Sequence, residues 1–572
     1  MRKWMPAMII TKAKDIPRLV ETRRGKKNFL QPKKFLLNLC VIMTILLFPG
    51  AAYAREGICG YEGGISSGEV PVTASAGTTS ASSGRTYDYQ EVTFVSGKPV
   101  VLKGTLVVKK QQKADKPTTA TASSATNAAI TATTTTTTTY TYTLSNVDEK
   151  ATLSRTIVFE TISTKRENGQ TTETTALSSK TKPKETLIIN GIAYTLKSTN
   201  GYDFTRSNLV DPKPAVNYHA GSIRSRKVYQ LSTAAGDTVT VECTGKYYGY
   251  DQYWGNAESL LLDYTITSEK NGTAGADKWG GTATVAISAT SSEQLEYEKN
   301  DPDQISFSGG YVQNRKNTNI LEYSSILPEF DAKGISTDNM LTYKDSMQIE
   351  TFPMQKRLPT INPANFSGHW AEADISLMFG LEVFKGGGAN FKPDQYMNRT
   401  EFAVALVQIA REVPPDPALA AKTTPAASKT AKKTAEVSPY NDVSIDNAYY
   451  SQIKSAFTRN LLGGKGFNLF GPNDTISRAD AMVAFVRALG FESLAPAPTA
   501  VTGFRDNDLI PSHARSAVYV AKKIGLLQAD SKGNMNPSKK LTKAEGATLF
   551  KTLITYLQEG IKKDYTERLV NY

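Results

Sequence analysis

The chain is poor in the residues that build metal centres and covalent frameworks. Among 572 residues there are three cysteines and three histidines. Cys40, Cys59 and Cys243 are too few for a disulfide scaffold, and Cys40 falls inside an apolar leader run; Cys59 and Cys243 either pair or stand as thiols. His219, His369 and His513 show no metal-ligand spacing, so neither a metal nor a cofactor is expected. No phosphate-cradling glycine loop occurs. The one G-x-S-x-G match, Gly64–Gly68, has no strand before it and no helix after it, which argues against a nucleophile elbow. No carboxylate pair stands out, and no catalytic residue is assigned. Mean hydropathy is −0.34 and one apolar run alone approaches membrane length, which excludes a multi-span membrane protein.

What is present begins with charge. The net charge of +13 is concentrated: residues 1–34 hold eleven Lys and Arg against Asp15 and Glu21. The excess therefore marks a leader, and nucleic-acid binding is not expected. Phe35–Phe48 is apolar, Pro49-Gly50 breaks it, and Ala52-Tyr53-Ala54 follows. Fourteen residues at helical rise span about 21 Å, short of the bilayer core. Residues 1–54 read as a secretory signal peptide, with the mature chain starting at Arg55 and no membrane span left after cleavage.

Residues 55–84 are rich in Gly, Ser and Thr and read as a flexible start. Residues 85–355 alternate at the strand period. Glu91–Lys109 suggests two strands around Ser96-Gly97-Lys98-Pro99, and Tyr140–Leu144, Ala151–Thr161, Asp237–Thr244, Ser259–Thr267 and Thr282–Ala289 suggest more. Glu185–Lys197 carries Asn190-Gly191 between two apolar runs, the signature of a type I′ hairpin. A Thr/Ala tract at 117–139, ending in seven threonines, interrupts the region and reads as a loop or stalk. The aromatic run Tyr247-Tyr248-Gly249-Tyr250 and Tyr253-Trp254 suits strand packing or sugar stacking. The expectation for this half is all-β, one or two sandwich-like modules.

The text then turns helical and repeats three times, over 366–413, 440–494 and 504–560, with a Pro/Ala/Lys linker at 414–439. In each copy a proline precedes a tetrad by five residues: Pro393 and Asn398-Arg399-Thr400-Glu401, Pro472 and Ser477-Arg478-Ala479-Asp480, Pro537 and Thr542-Lys543-Ala544-Glu545. Asn398, Ser477 and Thr542 are N-cap residues; Glu401, Asp480 and Glu545 complete capping boxes. Apolar stripes follow, Phe402/Ala405/Leu406/Ile409, Met482/Phe485/Val486/Leu489 and Phe550/Leu553/Ile554/Leu557, and belong to a core. Arg399, Arg478 and Lys543 are different. Each places a cation at N1, where the helix dipole disfavours it. Either the cation joins the free N–H groups in holding an anion, or it pairs with a neighbouring copy.

The tripled pattern resembles the S-layer homology domain. The resemblance covers about residues 366–557 and rests on Phe504-Arg505-Asp506, Tyr440-Asn441-Asp442, the His369-Trp370-Ala371 step and the tetrads. It implies an all-α pseudo-threefold bundle that binds acidic, often pyruvylated, secondary cell-wall polysaccharide through Arg399, Arg478, Lys543 and Trp370. Copy 1 departs with Gly368 where Asp is usual, and copy 3 has Lys543 in place of Arg, losing the bidentate fork. By this resemblance the chain is a non-enzymatic, cell-wall-bound structural protein of the extracellular surface, with self-assembly into a lattice as a further partner expectation. The alternative is a wall-anchored polysaccharide-degrading enzyme or adhesin whose activity lies in the β-rich half.

Overall fold

A computed structural model describes residues 63–69, 84–114, 133–270, 277–299, 309–350, 354–412, 436–496 and 500–564. The leader at 1–54, the start at Arg55, Cys59, residues 117–132 of the Thr/Ala tract and most of the 414–439 linker lie outside them.

Among the described residues sixteen strands form one sheet: β1 Ile65–Glu69, β2 Arg85–Thr93, β3 Val100–Ala114, β4 Thr133–Asn146, β5 Ala151–Lys165, β6 Thr171–Leu177, β7 Lys184–Ile189, β8 Ile192–Leu196, β9 Tyr202–Pro212, β10 Val216–Leu231, β11 Thr238–Gln252, β12 Gly255–Lys270, β13 Asp277–Glu298, β14 Gly310–Phe330, β15 Ser336–Glu350 and β16 Met354–Arg357. The order is an antiparallel meander, β1 through β6 and then β9 through β15. The hairpin β7–β8 joins on β5 and β10, and β16 pairs with β14. Asn190 and Gly191 have φ of 49° and 82°, the left-handed pair that the Asn-Gly signature requires.

Among the described residues the strands share one sheet and do not divide into separate modules. The meander doubles back so that its early and late strands face each other across one core. Phe94, after β2, packs edge-on against Tyr323 of β14, at 5.8 Å between centroids, and near Tyr264 of β12. Asn319 of β14 reaches the Ser66 carbonyl of β1, and residues from β1 to β15 share a single apolar cluster. The core also buries an ion network. Arg155 is bidentate to Glu91, at 2.8 and 2.9 Å, and reaches Glu185 at 2.9 Å; Lys227 meets Glu185 at 2.8 Å. Burial pushes the Glu185 carboxyl up, but Arg155 and Lys227 outweigh it and hold the group down at about 2.

Two expectations need correction. The start at 55–84 is not wholly flexible, because Ile65–Glu69 is a strand in register with β2. The Thr/Ala tract is not a loop or stalk to its end, because Thr133–Thr139 open β4 and pair with β3 and β5. A threonine tract cannot fill a core, but β-branched residues suit a strand whose neighbours supply the apolar face.

The helices are α1 Glu372–Gly380, α2 Arg399–Ile409, α3 Tyr450–Thr458, α4 Arg478–Leu489, α5 Ser512–Lys523 and α6 Lys543–Thr555. The stripes read from sequence are buried, with Phe402, Phe485 and Phe550 in mutual ring contact at 5.1–5.9 Å. α3 packs on α2, α5 on α4, and α1 on α6, so each first helix leans on the second helix of another copy. The residues before the tetrads are bonded in a ring: Met397 N–H to Leu541 O, Leu541 N–H to Ile476 O and Ile476 N–H to Met397 O, at 2.8–3.2 Å.

The opposite ends of these helices meet the sheet. Trp254 Nε1 donates to Ile409 O at 2.9 Å, Ala215 N to Ala488 O at 2.8 Å, Tyr218 Oη to Leu489 O at 3.1 Å, and Gln252 Nε2 to Leu557 O. The carbonyls that α2, α4 and the continuation of α6 leave unpaired thus find donors on β10, the Lys213–Ala215 turn before it, the end of β11 and the β11–β12 connection. Tyr250 and Trp254 are buried in the helical core, while Tyr247 is buried in the sheet. The strand-packing reading of the aromatic run therefore holds for Tyr247, while Tyr250 and Trp254 pack against the helices instead.

Candidate functional site

With the helix C-termini covered, the tetrads mark the opposite end of the bundle. There each tetrad docks onto the x-Pro loop of another copy. Arg399 N donates to Asp474 O and Thr400 N to Pro472 O; Arg478 N donates to Lys539 O and Ala479 N to Pro537 O; Lys543 N donates to Gln395 O and Ala544 N to Pro393 O. First-turn N–H groups that could have faced a ligand are therefore satisfied inside the protein. What remains at each junction is the side chain of one N1 cation, Arg399, Arg478 or Lys543.

The caps behave as the sequence predicts in two copies. Asn398 and Glu401 bond reciprocally at 2.8 and 3.0 Å, and Thr542 and Glu545 at 3.2 Å each way. Ser477 caps the Asp480 N–H at 3.1 Å, but Asp480 takes the Ser477 hydroxyl at 2.7 Å and the His513 ring at 3.2 Å, so no reciprocal box forms. An aspartate is one methylene shorter than the glutamate that spans this distance elsewhere.

The three cations are not equivalent. Arg399 is buried, its Nε donating to Phe470 O at 2.8 Å and its terminal nitrogen to Gly463 O at 2.6 Å, with the guanidinium 5.1 Å from the Phe470 ring centre. Burial lowers its pKa from the ordinary value, against the pull of nearby Asp480 and Tyr440. It joins copies 1 and 2 and takes the second of the two roles open to an N1 cation. Lys543 pairs with Glu401 at 2.7 Å and lies 5.8 Å from the Phe391 ring centre. Arg478 is half-buried, with one contact to the Gln528 carbonyl at 3.2 Å; its Nε is buried without a hydrogen-bond partner among the described residues.

Trp370 stands 66% exposed beside His369, which reaches Asp394 at 3.4 Å. Sequence reasoning missed Tyr396, 55% exposed, whose ring lies 5.8 Å from the Lys540 ammonium. Tyr396 and Lys540 stand three residues after their loop prolines, the same offset as Thr475, and aligning that position would have found them. It also missed the function of the Asp in the aromatic-x-Asp starts. Asp442 accepts from Phe470 N and Gly471 N at 2.8 and 2.7 Å, and Asp506 from Met535 N and Asn536 N at the same distances. These carboxylates set the x-Pro loops of copies 2 and 3, while copy 1 has Gly368 at that position. Among the described residues no cluster of His, Cys, Asp and Glu could hold a metal ion, and no helix is long and apolar enough to cross a membrane.

Comparison with known proteins gives this geometry a context. The family model of the S-layer homology domain matches residues 366–403 and 439–482, within copies 1 and 2. A cell surface protein of Thermoanaerobacter kivui is 32% identical over 115 residues, 19% of this chain and 15% of its own. An endoglucanase of Bacillus sp. (strain KSM-635) is 25% identical over 187 residues, 32% of this chain and 18% of its own. An exoglucanase of Acetivibrio thermocellus is 22% identical over 201 residues, 35% of this chain and 16% of its own. The chain spans less than a fifth of the length of these relatives. The C-terminal region carries S-layer homology domains, and the domain implies anchoring at the cell wall.

Proposed function

We propose that the chain is a structural protein of the bacterial surface, exported by its leader and held without a covalent bond by its three repeats. The repeats bind an acidic secondary wall polysaccharide, with a pyruvyl ketal as the acidic group. The ring of hydrogen bonds and the cyclic packing of first on second helices support reading the bundle as pseudo-threefold, with one groove per junction. Self-assembly on the wall follows from the same reading.

The observation that carries the proposal is Arg478. A half-buried guanidinium with a single long carbonyl contact among the described residues keeps donors in hand for a carboxylate. Arg399 is committed to two carbonyls, so the groove of Arg478 is the acidic-group site; Lys543 and Trp370 line a second groove where a sugar face stacks. In the mature chain, Arg478→Ala should weaken co-sedimentation with purified wall polysaccharide by about ten- to a hundredfold, since a charge-assisted contact contributes roughly 1.5–3 kcal/mol. Binding equal to wild type would sink the Arg478 assignment.

The names of the two glucanases favour a second reading, a wall-anchored polysaccharide-degrading enzyme. We prefer the non-enzymatic one: the buried core carboxylates Glu91 and Glu185 are tied to Arg155 and Lys227. Glycan turnover by the purified chain, abolished by one carboxylate substitution, would reverse that preference.

A further inference from the structure

β15 is unlike the other strands of its sheet. It runs fifteen residues, roughly 50 Å, and among the described residues it pairs with β14 alone. Six consecutive residues, Thr337–Thr342, are exposed, so the strand lies bare on both faces where its neighbours alternate. Met340 is 48% exposed and Leu341 39%. β1 comes near at the other end, where Asn319, opposite Ile349, reaches Ser66. A long exposed edge strand is a template for another strand.

The side chains say which strand. Asp338 and Lys344 lie three residues either side of Leu341, on one face, with no ion pair to another described residue. Place a second β15 antiparallel to the first, with Leu341 opposite Leu341. Asp338 then faces Lys344, and Lys344 faces Asp338, so one two-fold axis makes both pairs. Met340 meets Thr342, Asn339 meets Tyr343, and Asp345 meets Thr337, so no like charges are opposed. A slip of one residue in one direction sets Asp338 against Asp345; a slip of two in either direction leaves both Asp338 and Lys344 opposite uncharged residues. Register in an antiparallel pair follows its cross-strand pairs, and this edge favours one register with itself.

We propose that β15 is an isologous interface through which two copies of this chain join their sheets edge to edge, in the register centred on Leu341. The interface doubles the number of wall-binding bundles per particle, one from each copy. Its place in a surface assembly rests on the surface-protein reading above; the pairing itself does not.

The test is sedimentation velocity of the mature chain over a concentration series, without polysaccharide. A dimer is expected. Lys344→Asp or Asp338→Lys should weaken it by about tenfold or more, since each reversal turns two attractive pairs repulsive. The double variant Asp338→Lys/Lys344→Asp should restore it. Both positions are exposed, so folding is preserved, and circular dichroism checks this. Leu341→Cys should cross-link under mild oxidation, because opposed Cα atoms would stand about 5 Å apart. Asn339→Cys should not, its two copies being about 13 Å apart. A chain that stays monomeric, a dimer indifferent to both single reversals, or cross-linking of Asn339→Cys as readily as Leu341→Cys would each overturn the interface. Wall co-sedimentation of the same variants separates the two readings: lost dimer with retained wall binding concerns β15, and lost wall binding with an intact dimer concerns the repeats.

Discussion

At the scale of single residues, three cations in one sequence position have three fates. Arg399, Arg478 and Lys543 all follow an N-cap, yet the surroundings come from another copy and differ. Gly463 and Phe470 offer carbonyls that absorb Arg399; Glu401 meets Lys543; the loop opposite Arg478 presents Gln528 O alone. Arg399→Ala should therefore act on stability. Removing it leaves two carbonyls at a buried junction without their charged donor, at a cost of about 1.5–3 kcal/mol by denaturant unfolding. Polysaccharide affinity measured below the unfolding transition should stay near wild type. Unchanged stability, or affinity lost as fully as in Arg478→Ala, would reverse the roles given to the two arginines.

At the scale of elements, local rules account for more. The Asn190-Gly191 turn, the caps at Asn398, Ser477 and Thr542 and the apolar stripes of α2, α4 and α6 stand where periodicity and capping chemistry put them. They were legible because each depends on residues a few positions apart. The exceptions are instructive. Thr133–Thr139 becomes a strand because β3 and β5 flank it, a condition no local window contains. Ser477→Ala is the element-level counterpart of Arg478→Ala. It removes the cap of α4 and should cost about 1 kcal/mol, with affinity preserved while the protein is folded. An equal loss of binding would mean that the cap residue touches the ligand.

At the scale of the whole molecule, the sheet and the bundle share a core. Trp254 is the hinge of that contact: fully buried, 155 residues from Ile409 in sequence, and bonded to its carbonyl. Trp254→Ala should lower stability by about 3–5 kcal/mol and speed amide exchange both in the last turn of α2 and in β11–β12. Trp254→Phe, which keeps most of the burial and loses the N–H, should cost about 1–3 kcal/mol. Faster exchange confined to one side would mean that sheet and bundle open independently.

The sequence by itself determined the strand-rich first half, the three helical copies, their caps and core stripes, because periodicity, turn chemistry and repetition are local properties. Tertiary structure alone decided which cation is spent and which keeps its donors, that one sheet folds back on itself, that the aromatic run packs into the sheet and against the helix ends, and that β15 is left at an edge. Those outcomes depend on which distant carbonyls, carboxylates and strands arrive beside a residue, and contact between segments far apart in the chain leaves no period in the sequence.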